Sequence, residues 1–315
     1  MTGLRPFRLI PAYHERVWGG HRLKRCSPPV GEAWLVEAHN AIADGPFAGL
    51  ALADLAGRER DRLLGTDGAA ACRNGFPLII KLLDTAEWIS VQVHPDDCLA
   101  EALEGPGATG KTEAWYVIDA RPGAGIVTGV MPGASIPLLA AIDDPARALE
   151  HLAFRHVGPG DTALVEAGTV HSLGPGLLVY EVQQASHLTY RAYDWGRDAS
   201  VRDIDLERFS LAADPARRAC ILPADDGPGL RLLAGCAYFR LEQATGDAGI
   251  HLETAGRTFH AVTAINGAVT IEGHRWAERL DVLDTVVVPA GAGAYCLRTD
   301  PGGRALIASV PPSSS

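Results

Sequence analysis

Apolar residues in this chain come in short runs closed by glycine and proline, and the runs have the length of β-strands. Strands are predicted at residues 33–37, 78–83, 89–94, 113–119, 162–166 and 177–183. A later group is predicted at 237–241, 258–264, 268–272 and 285–288. Helical spacing is rarer. Leu50, Leu52, Leu55, Leu63 and Leu64, with charges between them, predict an amphipathic helix over 50–64. Asp144 before Pro145 is an N-cap signal with proline at the first helical position, and it predicts a helix over 146–152. Ser135-Ile-Pro137 marks the start of another short one. The pattern predicts an all-β protein with short helical insertions.

The segment Trp88-Ile-Ser-Val-Gln-Val-His-Pro-Asp-Asp97 carries the clearest chemistry. Alternate residues of a strand share a face. Val91 and Val93 therefore point to one side, and Ser90, Gln92 and His94 to the other. A hydroxyl, an amide and an imidazole gathered on one face of a core strand suggest a bound metal. Gln92 and His94 are two candidate ligands. Lys111 and Glu113, again two apart, share a face of the next polar strand. In Gly160-Asp-Thr-Ala-Leu-Val-Glu-Ala-Gly-Thr-Val-His171 a strand ends at a glycine turn, and His171 stands where the chain re-enters the sheet. Gln92, His94, Glu113 and His171 make a nitrogen and oxygen donor set. It suits Zn²⁺, with Mn²⁺, Fe²⁺ or Co²⁺ as other fitting ions. His14, His21, His151, His156, His251, His260 and His274 have no such company and are read as structural or surface residues.

Composition narrows the surroundings. The 315 residues suffice for one large or two ordinary domains, and the 47% hydrophobic content supports a substantial core. A net charge of −10 argues against nonspecific binding to nucleic acid or anionic membrane. Six scattered cysteines without a Cys-x-x-Cys pair read as reduced thiols, and with no signal-like N-terminus they lead to a cytoplasmic expectation. No stretch reaches the about 18 apolar residues of a membrane span. Residues 212–230 read as a linker, so a catalytic domain is expected over 1–230 and a smaller one over 231–315. Pro289-Ala-Gly-Ala-Gly-Ala294 echoes Glu166-Ala-Gly-Thr-Val-His171 in outline, with Tyr295 near the place of His171. This reads as a weak duplication whose second copy lacks the metal. Pro-Pro-Ser-Ser-Ser at the end reads as a disordered tail.

At these residues the chain resembles the cupin superfamily, and more closely the type I mannose-6-phosphate isomerases in their short bacterial form. The matching motifs are Val17-Trp-Gly-Gly20, Gly31-Glu-Ala-Trp34, Phe76-Pro-Leu-Ile-Ile-Lys81, Ser90-Val-Gln-Val-His-Pro-Asp-Asp97 and Gly110-Lys-Thr-Glu-Ala-Trp-Tyr116. Gly168-Thr-Val-His171, Tyr180-Glu-Val-Gln-Gln184 and Tyr190-Arg-Ala-Tyr-Asp-Trp-Gly-Arg197 complete the set, which spans residues 7–200 in order. The resemblance implies tandem cupin (jelly-roll) barrels and zinc on Gln92, His94, Glu113 and His171, one ion per chain. There are departures. Glu166 replaces a usual proline and could bring a carboxylate near the pocket. Ala33 replaces a serine, and Ala185 and His187 replace an amide and an acid.

The activity implied is the interconversion of mannose 6-phosphate and fructose 6-phosphate through a cis-enediol. It needs a proton shuttle, stabilisation of an enediolate oxygen and a grip on phosphate. The resemblance places Lys111, Glu181 and Arg191 in the pocket, with Lys81 and Ser90 lining it. Arg191 suits the oxyanion or the phosphate. Lys111, beside the ion, is expected to have its pKa depressed toward the range of a general base. Glu181 either shares the proton transfer or holds Arg191 or Lys111 in place. Arg197 either helps bind phosphate or is a surface charge. Trp18, Trp34, Trp115 and Trp195 either shape the pocket or belong to the core. The partner expected is a small phosphorylated sugar, with neither nucleic acid nor membrane; the oligomeric state is open. A non-catalytic sugar-binding cupin and a metal-dependent cupin oxygenase are the rival readings.

Overall fold

A computed structural model describes residues 4–73, 75–134, 145–197 and 203–312. The short helix expected at Ser135, the capping Asp144 and the last three serines lie outside the described residues. Packing divides the chain into two units that are not consecutive in sequence. One holds Tyr13–Ala33 and Lys81–Ala224; the other holds Met1–Ala12, Trp34–Ile80 and Asp225–Ser315. The change at Ala224 falls inside the segment read as a linker. The two early stretches that side with the C-terminal part are a finding the chain-order division at 230 does not contain. Local patterning shows where strands are, and it is silent on which distant segments they pack with.

In the first unit the strands Leu78–Thr85, Glu113–Ala120, Thr162–Val165 and Leu177–Gln184 lie close to their expected places. They belong to a seven-stranded sheet ordered Cys220–Leu222, Thr162–Val165, Glu113–Ala120, Leu177–Gln184, Leu78–Thr85, Ala12–Gly20, Val30–Val36. Cys220–Leu222 lies within the expected linker and pairs with Thr162–Val165. A three-stranded sheet of Ser172–Leu173, Gly125–Val130 and Leu152–His156 faces it. The core between them joins Trp115, Val179 and Leu83 to Ile126 and Leu173. A second core holds Val91 and Val93 with Val127, Leu152, Tyr190 and Phe209. The valines of the Val91–Val93 strand are thus anchored on one side, at about 1.5–3 kcal/mol for each side chain fully buried. That anchorage fixes the direction of Gln92 and His94.

The other unit packs a six-stranded sheet on a four-stranded one, with Val262, Val286 and Ile307 of the first against Ile271, Leu280 and Leu297 of the second. Within this unit Gly65 (φ +73°) comes so near Arg257 that an added Cβ would fall 2.4 Å from the Arg257 carbonyl carbon. Asp67 pairs with Arg257 at 2.9 Å, and Phe76 meets Phe259 at 4.4 Å between ring centroids. These contacts tie the 34–80 segment to the C-terminal strands.

Both units are β-sandwiches of jelly-roll kind, as expected. The strands do not close into full barrels, since the sheets remain separate ladders among the described residues. The helix expected over 50–64 is two helices, Leu52–Arg58 and Arg60–Leu63, broken at Glu59 (φ −121°, ψ 35°). Leu52, Leu55, Leu63 and Leu64 are all buried nonetheless, so the break redirects the chain without losing apolar contact. Pro145–Glu150 is helical as expected. Three helices among the described residues were not anticipated, Gly65–Ala71, Asp97–Glu104 and Leu206–Ala212. The last two start on an aspartate whose carboxylate accepts a backbone N–H, Asp96 from Leu99 and Asp205 from Arg208. No helix among the described residues is long and apolar enough to cross a membrane.

Candidate active site

Three segments meet where the pattern reading placed the ligands. Gln92 and His171 exchange backbone hydrogen bonds at 3.1 and 2.9 Å, so the re-entering chain after the glycine turn lies directly against the Val91–Val93 strand. The Gly168 N–H, at φ +88°, donates to the His94 carbonyl at 2.8 Å. Gly110 brings the Lys111–Glu113 segment against the same loop. A Cβ on Gly110 would fall 2.5 Å from the Asp96 carbonyl carbon, and the Lys111 N–H reaches the Pro95 carbonyl at 3.0 Å. Glycine is needed at position 110 for the backbones to approach and at position 168 for the positive φ.

His94, Glu113 and His171 are all buried, and their donor atoms lie within 4.8 Å of one another. His94 Nε2 is 3.4 Å from Glu113 Oε2, and His171 Nε2 is 3.4 Å from Glu113 Oε1. Both imidazoles have their tautomer set from behind. His94 Nδ1 lies 2.8 Å from the Leu188 carbonyl, and His171 Nδ1 lies 2.8 Å from the Thr169 carbonyl. A carbonyl only accepts, so each Nδ1 carries the proton and each Nε2 lone pair faces the cluster. Ser90 donates to Gln92 Oε1 at 3.0 Å, and Gln92 Nε2 lies 3.1 Å from His171 Nε2. Rotating that amide by half a turn presents Oε1 to the cluster and lets Nε2 donate to the Ser90 hydroxyl, which keeps that bond and gives up the one to His171 Nε2.

This set fits a cation. His94 Nε2 and Glu113 Oε1 are buried without a hydrogen bond, while Glu113 Oε2 meets the Lys111 ammonium at 2.6 Å. Buried polar atoms in that condition cost about 1–3 kcal/mol each unless something satisfies them. Burial pushes the His94 pKa down to about 3 with help from the Lys111 charge, and burial lowers that of His171, so both stay neutral and able to ligate. Burial alone would raise Glu113. The Lys111 ammonium, 2.6 Å away, outweighs it and holds the carboxyl well below its usual range.

Lys111, Glu181 and Lys81 adjoin the ligands as an alternating chain of charge. Lys111 Nζ lies 3.9 Å from Glu181 Oε1, and Lys81 Nζ lies 3.2 Å from the same oxygen. Lys81 also donates to Gln183 Oε1 at 2.7 Å, and the Trp115 indole N–H donates to Glu181 Oε2 at 2.9 Å. Side-chain neighbours act on Lys111 against the depression expected from an ion: burial presses its pKa down, but the carboxylates of Glu113 and Glu181, from different strands, outweigh burial and raise it. The pattern reading counted the ion and not these two carboxylates.

Arg191 pairs with Gln92 across the Tyr190–Tyr193 ladder. Its Nε is buried without a hydrogen-bond partner, and burial lowers its pKa. Ser90 stands behind Gln92. Arg197 is engaged away from the cluster, by Asp194 at 2.8 Å, Glu87 at 3.3 Å and the Trp88 carbonyl. Glu166 is exposed and pairs with Arg217 at 3.4 Å. Trp115, read as shaping the pocket or belonging to the core, is buried on the strand face it shares with Glu113, and pattern reading missed only its bond to Glu181. The carbonyls of Thr169 and Leu188 carry no side-chain signal that could have revealed them.

Residues 6–111 match the model of the family "Phosphomannose isomerase type I, catalytic domain". That stretch includes Gln92, His94 and Lys111 and stops short of Glu113 and His171. The chain is 38% identical to the mannose-6-phosphate isomerase of Streptococcus mutans over 203 residues, and the match covers 61% of each chain. It is 30% identical to the mannose-6-phosphate isomerase ManA of Bacillus subtilis over 310 residues, 93% of this chain and 95% of that one. The crystal structure of the mannose 6-phosphate isomerase from Bacillus subtilis superposes with a TM-score of 0.82 at 27% identity, covering 97% of this chain and 99% of the other.

Proposed function

The chain belongs to the type I phosphomannose isomerase family, and we propose that it is a metal-dependent aldose–ketose isomerase interconverting mannose 6-phosphate and fructose 6-phosphate. The observation that carries this reading is the buried ligand cluster adjoining Lys111 and Glu181. An ion site beside two lysine–carboxylate pairs has groups for moving protons as well as for binding.

Gln92, His94, Glu113 and His171 would hold the ion, with zinc favoured by two imidazoles, one carboxylate and an amide. A bound divalent ion supplies Lewis-acid polarisation of the sugar carbonyl. The rest is the work of the protein's own side chains. Glu181 is fixed at Oε2 by Trp115, which leaves Oε1 to accept a proton from carbon. Lys111, charged and 3.9 Å from that oxygen, donates toward the sugar hydroxyl and is positioned to carry a proton between neighbouring oxygens. Together they move the proton between C1 and C2 through a cis-enediol. Lys81 and Gln183 keep Glu181 in place. Arg191, with a buried unbonded Nε, faces the negative charge that grows on the enediolate. Ser90 acts by orienting the Gln92 amide. We place the protein in the cytoplasm on its unpaired cysteines.

The test joins metal analysis of the purified protein to an isomerase assay. We expect one equivalent of zinc and turnover of mannose 6-phosphate that a chelator abolishes. Full turnover in metal-stripped protein would overturn the reading. The relatives above are named as isomerases, which favours neither a sugar sensor nor an oxygenase.

A further inference from the structure

A sugar 6-phosphate carries its dianion at the far end of the molecule from C1 and C2. If the isomerase reading holds, the phosphate needs a cation outside the buried ligand cluster. The cations of the first unit near the cluster can be taken in turn. Lys111 is committed to Glu113, and Lys81 to Gln183 and Glu181. Arg197 is spent on Asp194, Glu87 and the Trp88 carbonyl. Arg191 has its Nε buried beside the ligand strand.

Arg16 is different. It lies on the Ala12–Gly20 strand, and its side chain is 34% exposed. Its Nε and Nη2 donate to the two oxygens of Glu32 at 2.9 and 3.1 Å, and Nη1 donates to the Glu15 carbonyl at 3.0 Å. A guanidinium has five N–H groups, so one on each terminal nitrogen remains. Glu32 takes the side-on edge, so the hydrogen left on Nη2 lies on the end-on edge, where a guanidinium meets phosphate oxygens. The guanidinium is held in place. A Cβ on Gly31 would fall 2.5 Å from Arg16 Cβ and 2.7 Å from the Trp18 ring, so only glycine lets the Val30–Val36 strand lie against the arginine stem. The pair also borders the candidate site: Glu32 lies on the Val30–Val36 strand, which pairs with the Leu78–Thr85 strand that carries Lys81.

We infer that Arg16, oriented by Glu32, binds the phosphate of the substrate and sets the preference for phosphorylated over free sugars. The inference rests on the isomerase reading for its substrate, and on the Arg16 geometry for the anion itself. Glu32 is a positioning residue: its carboxylate occupies the side-on edge of the guanidinium and leaves the end-on edge for the ligand.

Inorganic phosphate is the probe. Calorimetry on the holoenzyme should show phosphate bound by the wild type and bound about ten- to hundredfold more weakly by Arg16→Gln. Arg16→Lys, which keeps the charge and loses the fork, should fall between them and guards against a misfolded glutamine variant. For mannose 6-phosphate the KM should rise by a similar factor while kcat and metal content hold. Constants for unphosphorylated mannose should not change. Equal phosphate binding by wild type and both variants, or none by the wild type, overturns the inference. A wild type that binds phosphate through Arg16 but does not isomerise mannose 6-phosphate upholds the anion site and defeats the isomerase reading instead.

Discussion

The two sandwiches bury a histidine in different ways. In the first unit, His94 and His171 converge on the carboxylate of Glu113, and His94 Nε2 has no hydrogen bond. In the other, His260 Nδ1 meets the Tyr295 hydroxyl at 2.7 Å, after a turn whose outline echoes the one before His171. Burial pushes the His260 pKa down to about 4 and raises that of Tyr295, so the pair is neutral and satisfied within itself. Among the described residues no carboxylate or lysine bonds to either residue. The difference teaches what separates a buried imidazole that packs from one that ligates. Packing needs a neutral partner, whereas ligation needs lone pairs turned inward by bonds from behind and a carboxylate among them.

The harshest way to break the comparison is to take away the charge that the second unit lacks. Glu113→Ala should abolish both metal binding and turnover, and a chelator should abolish turnover of the intact protein, with Zn²⁺ or Co²⁺ restoring it. Metal stoichiometry alongside the assay checks this; two ions per chain, one of them on His260, would erase the contrast altogether.

Next comes the division between holding the ion and moving the proton. Lys111→Ala should keep its metal and lose about 10²–10⁴ in kcat, the usual loss for an acid–base group. Arg191→Ala should likewise keep its metal and lose turnover. Near wild-type rates in both metal-loaded variants would show that the charged chain beside the ligands does no chemistry.

Ser90→Ala sharpens the point about bonds from behind. It touches only the far side of Gln92, yet it should weaken metal affinity about 10–100-fold. Competition with a metal-sensitive dye would read this, and unchanged affinity would mean that the Gln92 amide needs no orienting.

The smallest effects belong to the second unit. Tyr295→Phe should leave metal content and kcat alone and cost about 1–3 kcal/mol of stability, through the unsatisfied His260. His260 also predicts a pH dependence. Its folded pKa, about 4, lies below the roughly 6.5 of an unfolded histidine. Between those values the unfolded chain binds a proton that the folded chain refuses. Its contribution is therefore whole above about 6.5 and falls as pH drops, by at most about 1.4 kcal/mol per pH unit. Denaturant midpoints at pH 7 and pH 5 should draw apart less in His260→Gln than in the wild type.

Much of this was legible in the sequence. Period-two alternation in Ser90-Val-Gln-Val-His94 assigned faces to Gln92 and His94 because a strand leaves no other choice, and the glycine turn before His171 announced a close backbone approach. The Leu78–Thr85 and Leu177–Gln184 strands were plain from their apolar runs. The helix starting at Asp97 had its signal in the capping Asp96, outweighed in the reading by the ligand motif just before it.

What the sequence could not settle were the properties that depend on distance between strands far apart in the chain. Lys111 is held between the carboxylates of Glu113 and Glu181, and Glu181 is held by Trp115 and Lys81. Arg197 was spent on Asp194 and Glu87, and Arg16 was fixed by Glu32 and by its packing on Gly31. The grouping of residues 34–80 with the C-terminal strands came the same way, through Gly65, Asp67 and Phe76 against Arg257 and Phe259. Residue types and periodicity determine which atoms a segment offers and to which side. Packing alone determines which of those atoms meet, and Coulomb and desolvation energies then fix what each one does.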